Sequence, residues 1–348
     1  MTFRKFAAAS TVSLLALGSA AQAQTQIDWW HAMGGELGEK TEALATAFNA
    51  AQSEFVVVPS YRGTYTETMT GAIAAFRAGE QPDIVQVFEV GTGTMMAAEG
   101  AIVPVYQLMA DAGADFDPNA FLPAVVGYYT DPEGRMLSMP FNSSTPIMYY
   151  NKNVFAAAGL DPEQPPRTWA EVEAFSRQIM SSGAAECGFT TGWVSWVQLE
   201  NFSAWHNQQI GTLENGFGGA TLWVLAGGSA DEQRGVAAFF NFLSSPEVQA
   251  QWHQDTGYLP ITQAAYELSE AQGYYTANPG ADTSIMQMTL NAPTPNSKGL
   301  RFGNYVQIRG VIDEEFQRLL AGDVDAQGAL DAVVARGNVL IRDFEAAN

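Results

Sequence analysis

The chain is poor in the residue types that many metal and nucleic-acid sites require. It has one cysteine, Cys187, so it forms no internal disulfide and no cysteine-based zinc site. Its three histidines, His31, His206 and His253, lie far apart and lack the spacing of metal ligands. Lysine and arginine number 16 against 37 aspartates and glutamates, which gives a formal net charge of −21. This charge argues against nucleic acid or an anionic membrane as a partner, because both are bound by basic surfaces.

Composition and length place the chain among globular proteins. Apolar residues make up 47% of the sequence and charged residues 15%, which excludes a disordered or fibrous protein. A chain of 348 residues buries a sizeable core and is expected to form two domains rather than one.

Motifs for cofactors and catalysis are few. Gly91-Thr92-Gly93 lacks the third glycine of a dinucleotide-binding loop and the lysine of a phosphate-binding loop, and we interpret it as a tight turn before a helix. Neither G-x-S-x-G nor H-E-x-x-H occurs, so these two hydrolase signatures are absent. We therefore expect no cofactor, no metal ligand and no catalytic residue.

The first 23 residues have the features of a signal peptide. Two basic residues precede an apolar run at 6–17 that is too short to span a bilayer, and residues 21–23 form an A-x-A cleavage site. No cysteine follows the run, so a lipid anchor at that point is not expected. No later stretch approaches the roughly 18 consecutive apolar residues of a membrane helix. The sequence predicts export, with a mature chain that starts at Gln24 and is free in solution.

Short β-type segments alternate with amphipathic helical segments after the signal peptide. Strands are predicted at 27–30, 55–59 and 83–88, with helices at 36–51 and 66–78 between them. Strands separated by helices of this length predict a parallel α/β sheet with right-handed crossovers.

Further helices are predicted from their first residues and from their apolar stripes. A capping box or an initial proline marks helix starts at Thr168, Ser229 and Ser245. Two long amphipathic helices are predicted at 304–321 and 326–344.

Aromatic and hydroxyl side chains are the first candidates for a binding site. Eight aromatic residues lie in or beside predicted turns and strand ends: Trp29, Trp30, Tyr61, Tyr65, Trp193, Trp196, Trp205 and Tyr258. Each of them could instead fill the core. The loop at 142–146 (Asn-Ser-Ser-Thr-Pro) is either a simple turn or a source of hydroxyl and N–H groups for anion or sugar oxygens. Together with predicted export, these features favour a binding cleft between two lobes.

Arg309 is a separate candidate because basic residues are scarce. It lies one position away from the apolar stripe formed by Ile308, Ile312, Phe316 and Leu319. The arginine is either exposed on the helix surface or presents its guanidinium to a phosphate or carboxylate.

Several long sequence blocks resemble one protein family. The blocks include WHAMGGELGEK, VPSYRGTYTET, PDIVQVFEVGTGTMMAAEG, SMPFNSSTPIMYYNKNVFAAAGLDPEQPPRTW, VQLENFSAW, WHQDTGYLPIT, NPGAD and KGLRFGNYVQIR. They are similar to the periplasmic sn-glycerol-3-phosphate-binding proteins of the Ugp ABC transporter, within the extracellular solute-binding proteins. The resemblance implies an α/β fold, the two-lobed clamshell of periplasmic binding proteins, and binding without catalysis.

The same resemblance implies ligands, partners and a location. The ligand is expected to be sn-glycerol-3-phosphate, extended to glycerophosphodiesters, and it is delivered to an inner-membrane ABC permease and its ATPase. The protein is expected to be periplasmic and monomeric.

The resemblance also implies the ligand-binding residues. Carried over by motif, the contacts fall on Tyr65, Glu89, Ser144, Gly219, Tyr258 and Arg309, with Trp193 and Trp196 as an aromatic wall. Arg309 is expected to hold the phosphate bidentately, with Ser144, Tyr258 and the Gly219 N–H as further donors. Glu89 repels phosphate at short range and is therefore expected at the other end of the ligand, where it accepts hydrogen bonds from the glycerol hydroxyls.

One departure from the family concerns the second lobe. After Asn215-Gly216-Phe217 the family continues through a long segment before the GGATLWV strand, whereas here the two blocks meet at Gly218-Gly219. In the family this segment supplies helices, at least one strand and a serine contact. The second lobe is therefore expected to be shortened, with a gap in its sheet and exposed apolar surface.

The resemblance implies how the chain divides between the lobes. Lobe one is expected to comprise 24–137 plus 220–265, and lobe two 138–219 plus 266–348. Two other functions stay open. One is a binding protein for an oligosaccharide or polyol held by Trp193, Trp196 and Glu89, and the other is a periplasmic hydrolase that uses Glu89 and an acidic partner, which no motif supports.

Overall fold

A six-stranded mixed sheet lies at the centre of the protein. In the computed structural model, which describes residues 23–98, 100–208, 210, 219–292, 294 and 300–347, the strands are β1 (Thr25–His31), β2 (Phe55–Tyr61), β3 (Ile84–Phe88), β4 (Ile102–Val103), β5 (Met139–Ser143) and β6 (Gly219–Leu225). Their order is β2-β1-β3-β6-β4, and β5 also pairs with β6. The predicted signal peptide, except Ala23, and the junction at 215–218 lie outside the described residues.

The sequence predicts the direction of only some strands of this sheet. β1 is parallel to both β2 and β3, as predicted. β6, for which the sequence predicts no direction, is antiparallel to β3, β4 and β5, so the sheet is mixed. The crossover rule fixes strand direction where one helix connects two neighbouring strands. β6 instead follows a long excursion through the chain after β5, and that rule does not apply to it.

Helices cover both faces of this sheet. Those that precede β6 are α1 (Gly35–Ala51), α2 (Tyr65–Ala78), α3 (Thr92–Ala97), α4 (Val105–Asp111), α5 (Pro123–Val126), α6 (Lys152–Ala157), α7 (Trp169–Ser181) and α8 (Phe202–Trp205). A π-helical segment, Val194–Asn201, leads into α8, and short 3-10 turns lie at Glu89–Gly91 and Pro118–Ala120.

The helices that follow β6 complete the fold. They are α9 (Ala230–Leu243), α10 (Pro246–Thr256), α11 (Gln263–Ala271), α12 (Tyr274–Ala277), α13 (Thr283–Thr289), α14 (Tyr305–Ala321) and α15 (Ala326–Ala347). Among the residues that the structure describes, no helix combines the length and the apolar character that a membrane span requires.

The predicted helix starts are confirmed by their cap geometry. At the start of α7 the Thr168 hydroxyl accepts from the Glu171 N–H at 3.2 Å, and the Glu171 carboxylate accepts from the Thr168 N–H at 3.0 Å. Ser229 and Glu232 form the same reciprocal pair before α9. α10 begins with Pro246, as expected for a residue whose missing N–H has no partner in the first turn.

The main core lies between the sheet and helices α1, α9 and α10. Trp29 of β1 is fully buried there, with ring centroids 5.5 Å from Phe141 and 5.4 Å from Phe239. Alternate residues of β1 point into this core, while β3 is buried on both faces because α2 covers its other side. This arrangement fixes the ends of β3, β5 and β6, where the candidate residues lie.

Two segments that the sequence assigns to lobe two pack with the sheet. β5 begins at Met139 and pairs with β6, and α11 packs on α10 while Ile285 of α13 joins the main core. We call residues 23–143 and 219–289 the sheet half, and residues 144–208 and 300–347 the helical half. The division into two lobes at the predicted boundaries stays a prediction.

The helical half contains no strand within its described residues. The second-lobe sheet with a gap, expected from the family, is therefore not found in this part of the chain. Large apolar side chains such as Trp169, Phe189 and Leu320 are exposed in this half. That the missing segment would have covered such surface stays a prediction.

Candidate functional site

Arg309 lies at the centre of a buried polar cluster. It is in the second turn of α14, next to Tyr305 and Ile308, whose side chains are buried against the apolar cluster between α14 and α15. This position turns the guanidinium away from α15 and towards the π-helical segment and the end of β3. The Arg309 side chain is only 14% exposed, so of the two alternatives left open by the sequence, the surface arginine is wrong.

Two carboxylates contact the Arg309 guanidinium. Nε donates to Glu200 Oε1 at 3.0 Å and Nη2 donates to Glu200 Oε2 at 2.8 Å, a bidentate pair. Nη2 also lies 2.6 Å from Glu89 Oε1. The guanidinium carbon is 5.6 Å from the centre of the Tyr305 ring. Charge-assisted contacts of this kind are about twice as strong as hydrogen bonds between neutral groups.

Burial and pairing act in opposite directions on these groups. Burial alone would lower the pKa of Arg309, but the attraction of Glu89 and Glu200 outweighs it and raises that pKa above its ordinary value. Burial raises the pKa of Glu200, while Arg309 opposes the rise. The arginine therefore stays charged and can bind an anion at neutral pH.

Glu89 lies where β3 ends, in the 3-10 turn Glu89–Gly91. Its backbone carbonyl accepts a hydrogen bond from the Tyr128 hydroxyl, which fixes the turn. The sequence predicts that Glu89 and Arg309 hold opposite ends of a ligand. In the structure the two side chains are in direct contact, because opposite charges attract strongly in a poorly hydrated space. Their assignment to opposite ends of a ligand stays a prediction.

A chain of buried amides places Tyr65 beside this cluster. The Tyr65 hydroxyl accepts from Asn142 Nδ2 at 3.1 Å, and Asn142 Oδ1 accepts from Gln86 Nε2 at 2.9 Å. Gln86 Oε1 in turn accepts from the Ala32 N–H at 2.8 Å. The Tyr65 ring stacks on Phe88, the residue before Glu89, at 5.3 Å. Residues on or next to strands β1, β3 and β5 thus together orient the Tyr65 hydroxyl.

Tyr258 joins the same group of polar side chains. Burial raises its pKa, and hydrogen bonds with Asn142 and Tyr65 oppose the rise. Burial likewise raises the pKa of Tyr65, and the charge of Glu89 adds to that increase. Both phenols are therefore neutral at physiological pH, and each has one O–H group that can donate a hydrogen bond.

Ser144 and Gly219 lie at the same end of the sheet. Gly219 opens β6 and pairs with Ser143, so Ser144 follows directly after the paired residue. The Ser143 carbonyl accepts from the Leu259 N–H at 3.0 Å, which joins this strand end to the segment that carries Tyr258. The structure thus brings Ser144, Gly219 and Tyr258 to one end of the sheet.

Trp193 and Trp196 lie at the start of the π-helical segment. Their ring centroids are 6.1 Å apart in an edge-to-face arrangement, and Trp193 is 78% exposed. Trp193 has φ 49°, a backbone conformation that is costly for a bulky residue and recurs at functional sites. Trp196 lies on the same π-helical segment as Glu200, and Trp193 directly precedes that segment.

Three residues of this site are absent from the sequence prediction. Glu200 lies within the quoted block VQLENFSAW, but the sequence gives no sign that it pairs with Arg309, 109 positions away. Asn142 belongs to the hydroxyl-rich loop considered above, yet its role as a buried amide depends on the pairing of β5. In the sequence, nothing distinguishes Tyr305 from the residues of the apolar face of α14.

Comparisons with known proteins place the chain in a family. Two family models, each described as bacterial extracellular solute-binding protein, match residues 34–216 and 180–284. The sn-glycerol-3-phosphate-binding periplasmic protein UgpB of Yersinia pseudotuberculosis is 42% identical over 424 positions, covering 96% of each chain. The protein of the same name from Rhizobium meliloti is 41% identical over 418 positions, covering 95% of this chain and 97% of the relative.

The alignment length bears on the predicted deletion. The Yersinia alignment extends over 424 positions, whereas this chain has 348 residues, so the relative has positions to which no residue of this chain corresponds. The chain is therefore shorter than this relative, in agreement with a shortened lobe.

Solved structures give the fold. UgpB from Mycobacterium tuberculosis in complex with glycerophosphocholine matches with a TM-score of 0.72 at 17% identity, covering 92% of this chain and 99% of that one. The GacH receptor of Streptomyces glaucescens, solved unliganded and with acarbose, matches with a TM-score of 0.69 at 15% identity, covering 93% and 100%. These matches confirm the α/β fold of two-lobed binding proteins. Given the family model that spans more than half of its length and the relatives at about 41% identity, the chain belongs to the bacterial extracellular solute-binding proteins.

Proposed function

We propose that this chain is the periplasmic solute-binding component of an ABC importer and that it binds sn-glycerol-3-phosphate, and glycerophosphodiesters, between its lobes. Relatives at 41–42% identity are named for binding this phosphate ester. We further propose that the chain starts at Gln24 after export, acts as a monomer, and delivers its ligand to an inner-membrane permease and its ATPase. Membership of the family makes it a transport protein and not an enzyme, so the hydrolase hypothesis is set aside.

The observation that carries this proposal is the buried Arg309 guanidinium between carboxylates of two parts of the fold. A charged guanidinium with little exposure to water binds phosphate strongly, because solvent does not compete for its N–H groups. Glu89 contacts the guanidinium from the sheet half, whereas Glu200 contacts it from the helical half. An arriving phosphate competes with Glu89 for Arg309 and leaves that carboxylate to accept hydrogen bonds from the glycerol hydroxyls.

Neutral hydrogen-bond donors near the Arg309 guanidinium complete the proposed site. The Tyr65 and Tyr258 phenols lie at the strand ends next to Glu89, and the Ser144 hydroxyl and Gly219 N–H lie at the neighbouring end of β5 and β6. These donors add hydrogen bonds to phosphate or hydroxyl oxygens without adding charge. Trp193 and Trp196 are proposed to form an aromatic wall at the edge. Rotation of one lobe against the other then encloses the ligand.

A second candidate is an oligosaccharide or polyol. Trp193 favours it, because an exposed aromatic ring next to another ring is a common platform for sugar rings. In that case the carboxylate of Glu89, rather than Arg309, carries recognition.

Titration calorimetry on the mature protein distinguishes the two candidates. Replacing Arg309 with alanine should weaken sn-glycerol-3-phosphate binding by a factor of a hundred or more, on the order of 3 kcal/mol or above for a buried charge-assisted pair. Arg177→Ala is the matched control, because Arg177 is exposed and pairs with Glu173 on the surface of α7. Unchanged affinity in Arg309→Ala, or tighter binding of maltose-like sugars than of the phosphate by the unaltered protein, would contradict the proposal.

A further inference from the structure

One edge of the Arg309 guanidinium is occupied by Glu200. The carboxylate accepts from Nε at 3.0 Å and from Nη2 at 2.8 Å, the same bidentate geometry that a phosphate adopts on arginine. Glu89 lies against Nη2 as well, so two carboxylates share one guanidinium and the three side chains together carry a charge of −1. All three are at most 14% exposed, and water therefore screens their charges poorly.

Glu200 differs from Glu89 in which part of the fold carries it. Glu200 lies on the π-helical segment Val194–Asn201, which packs on α14, and its neighbour Leu199 joins the apolar cluster around Ile308. Glu200 accepts from two nitrogens of the Arg309 guanidinium, whereas Glu89 contacts Nη2. Val90, next to Glu89, belongs to the same apolar cluster, so it is the contact geometry that distinguishes the two carboxylates. An arriving phosphate is therefore expected to displace Glu89, while Glu200 stays beside any phosphate that Arg309 holds.

We infer that Glu200 is a specificity-determining residue, whose charge makes the site discriminate against the second negative charge of a phosphomonoester in favour of a phosphodiester. This inference rests on the proposed function. A phosphomonoester such as sn-glycerol-3-phosphate carries about −1.5 to −2 at pH 7, whereas the phosphate of a diester carries a single charge. Every unit of ligand charge is repelled by the fixed Glu200 carboxylate, so the penalty is larger for the monoester.

The environment of Glu200 agrees with this role. Burial raises its pKa, which shows that the ionised carboxylate is held at a cost that Arg309 only partly offsets. A phosphate placed beside Arg309 adds a further negative charge to the same poorly screened space. Removing the Glu200 charge while keeping its shape should therefore strengthen binding, and should do so most for the ligand with the most charge.

The test compares two ligands in four proteins. Isothermal titration calorimetry at pH 7.5 and one salt concentration measures sn-glycerol-3-phosphate and glycerophosphoglycerol, whose headgroup is neutral. Glu200→Gln should raise the ratio of monoester affinity to diester affinity by roughly tenfold relative to the unaltered protein. Glu200→Asp keeps the charge and should keep the ratio. Glu173→Gln removes an exposed carboxylate of the helical half and should also leave the ratio unchanged.

The outcomes separate this inference from the proposed function. If the unaltered protein binds neither phosphate ester, the proposed function fails, and the inference fails with it. If the unaltered protein binds both and Glu200→Gln leaves the ratio unchanged, the inference alone is overturned. Equal weakening of both ligands in Glu200→Gln would also overturn it, because Glu200 would then only orient Arg309.

If Glu200→Gln does not unfold cooperatively, a measurement on the unaltered protein tests the inference instead. The groups that face Glu200 are Glu89 after β3, Arg309 and Tyr305 of α14, and Tyr128. At pH 7.5 the unaltered protein should itself bind glycerophosphoglycerol more tightly than sn-glycerol-3-phosphate, because Glu200 repels the more highly charged monoester more strongly. Tighter binding of the monoester by the unaltered protein would overturn the inference.

Discussion

The sheet half and the helical half bury their apolar side chains to different degrees. In the sheet half a large core runs from α1 through β1 to α9 and α10, around Trp29 and Phe239, and a smaller cluster lies under α2. The helical half has only smaller clusters among its described residues, one around Ile308 that also includes Val90 of the sheet half, and one around Phe155 and Ile179. Trp193 and Leu320 are 78% and 74% exposed there. The relatives possess positions that this chain lacks, and the half with the smaller clusters is the half in which the missing segment was predicted.

This contrast indicates that the sheet half determines the stability of the protein, whereas the helical half determines the binding properties of the site. The sheet half holds Tyr65, Glu89 and Tyr258 on strand ends and cap positions that the core fixes. The helical half holds Glu200 and Arg309 on two elements that pack mainly on each other and on α15. We therefore expect mutations in the sheet core to act on folding, and mutations in the helical half to act on binding.

The largest expected effect distinguishes two tryptophans. Trp29→Ala removes a fully buried ring from contacts with Phe141 and Phe239, and should lower the free energy of unfolding by about 3–5 kcal/mol. Trp193→Ala is the matched variant in the helical half and should change it by less than about 0.5 kcal/mol, because that ring is already in water. Chemical denaturation gives both values, and equal losses would contradict the contrast.

An intermediate effect concerns histidine and pH. Burial lowers the pKa of His31 in β1 from 6.5 to about 4, so between these values the unfolded chain binds the proton more tightly than the folded one. The free energy of unfolding should therefore fall as the pH falls from 6.5 to 4, by about 1–3 kcal/mol from this residue.

Two histidine variants isolate that contribution. His31→Gln should flatten the dependence of the unfolding free energy on pH in this range. His206→Gln, at an exposed position of the helical half, should leave it as in the unaltered protein. Denaturation at a series of pH values measures both slopes, and a His31→Gln slope equal to the original would show that burial of His31 is not the cause.

The last comparison concerns two helical glycines and includes the smallest effect expected in this series. A Cβ on Gly235 of α9 would lie 2.6 Å from Ile27 and 2.7 Å from Phe55, so Gly235→Ala should destabilise the protein by about 1–3 kcal/mol. A Cβ on Gly310 of α14 would meet nothing within 4 Å, so Gly310→Ala should stabilise α14 by about 0.5–1 kcal/mol. Opposite signs in thermal denaturation support the contrast, and equal signs would count against it.

The fold was predictable from the sequence where local signals determine it. Apolar periodicity and capping boxes locate α1, α2, α7 and α9 to within about two residues. The direction of β6 was not predictable, because it depends on the route of the chain after β5. The sequence makes no prediction for the packing of α11 and α13 on the sheet half, since periodicity shows that a helix has an apolar face but not which surface that face contacts.

The site was predictable only in part. Arg309 stands out because basic residues are few, and the family resemblance supplies the positions of Tyr65, Glu89 and Tyr258. Glu200 and Asn142 were missed because their partners are 109 and 77 positions away in the chain. Polar pairs over such distances have no periodicity and no fixed spacing, so only the folded structure reveals them.

The most direct measurement is a thermal melt of the mature protein with and without sn-glycerol-3-phosphate. A ligand that binds only the folded state at a hundred times its Kd adds about 2.7 kcal/mol of stability. We predict one cooperative transition whose midpoint rises by several degrees with ligand in the unaltered protein and in Arg177→Ala, but not in Arg309→Ala. A cooperative melt that the ligand does not shift in the unaltered protein would contradict a phosphate site built on Arg309.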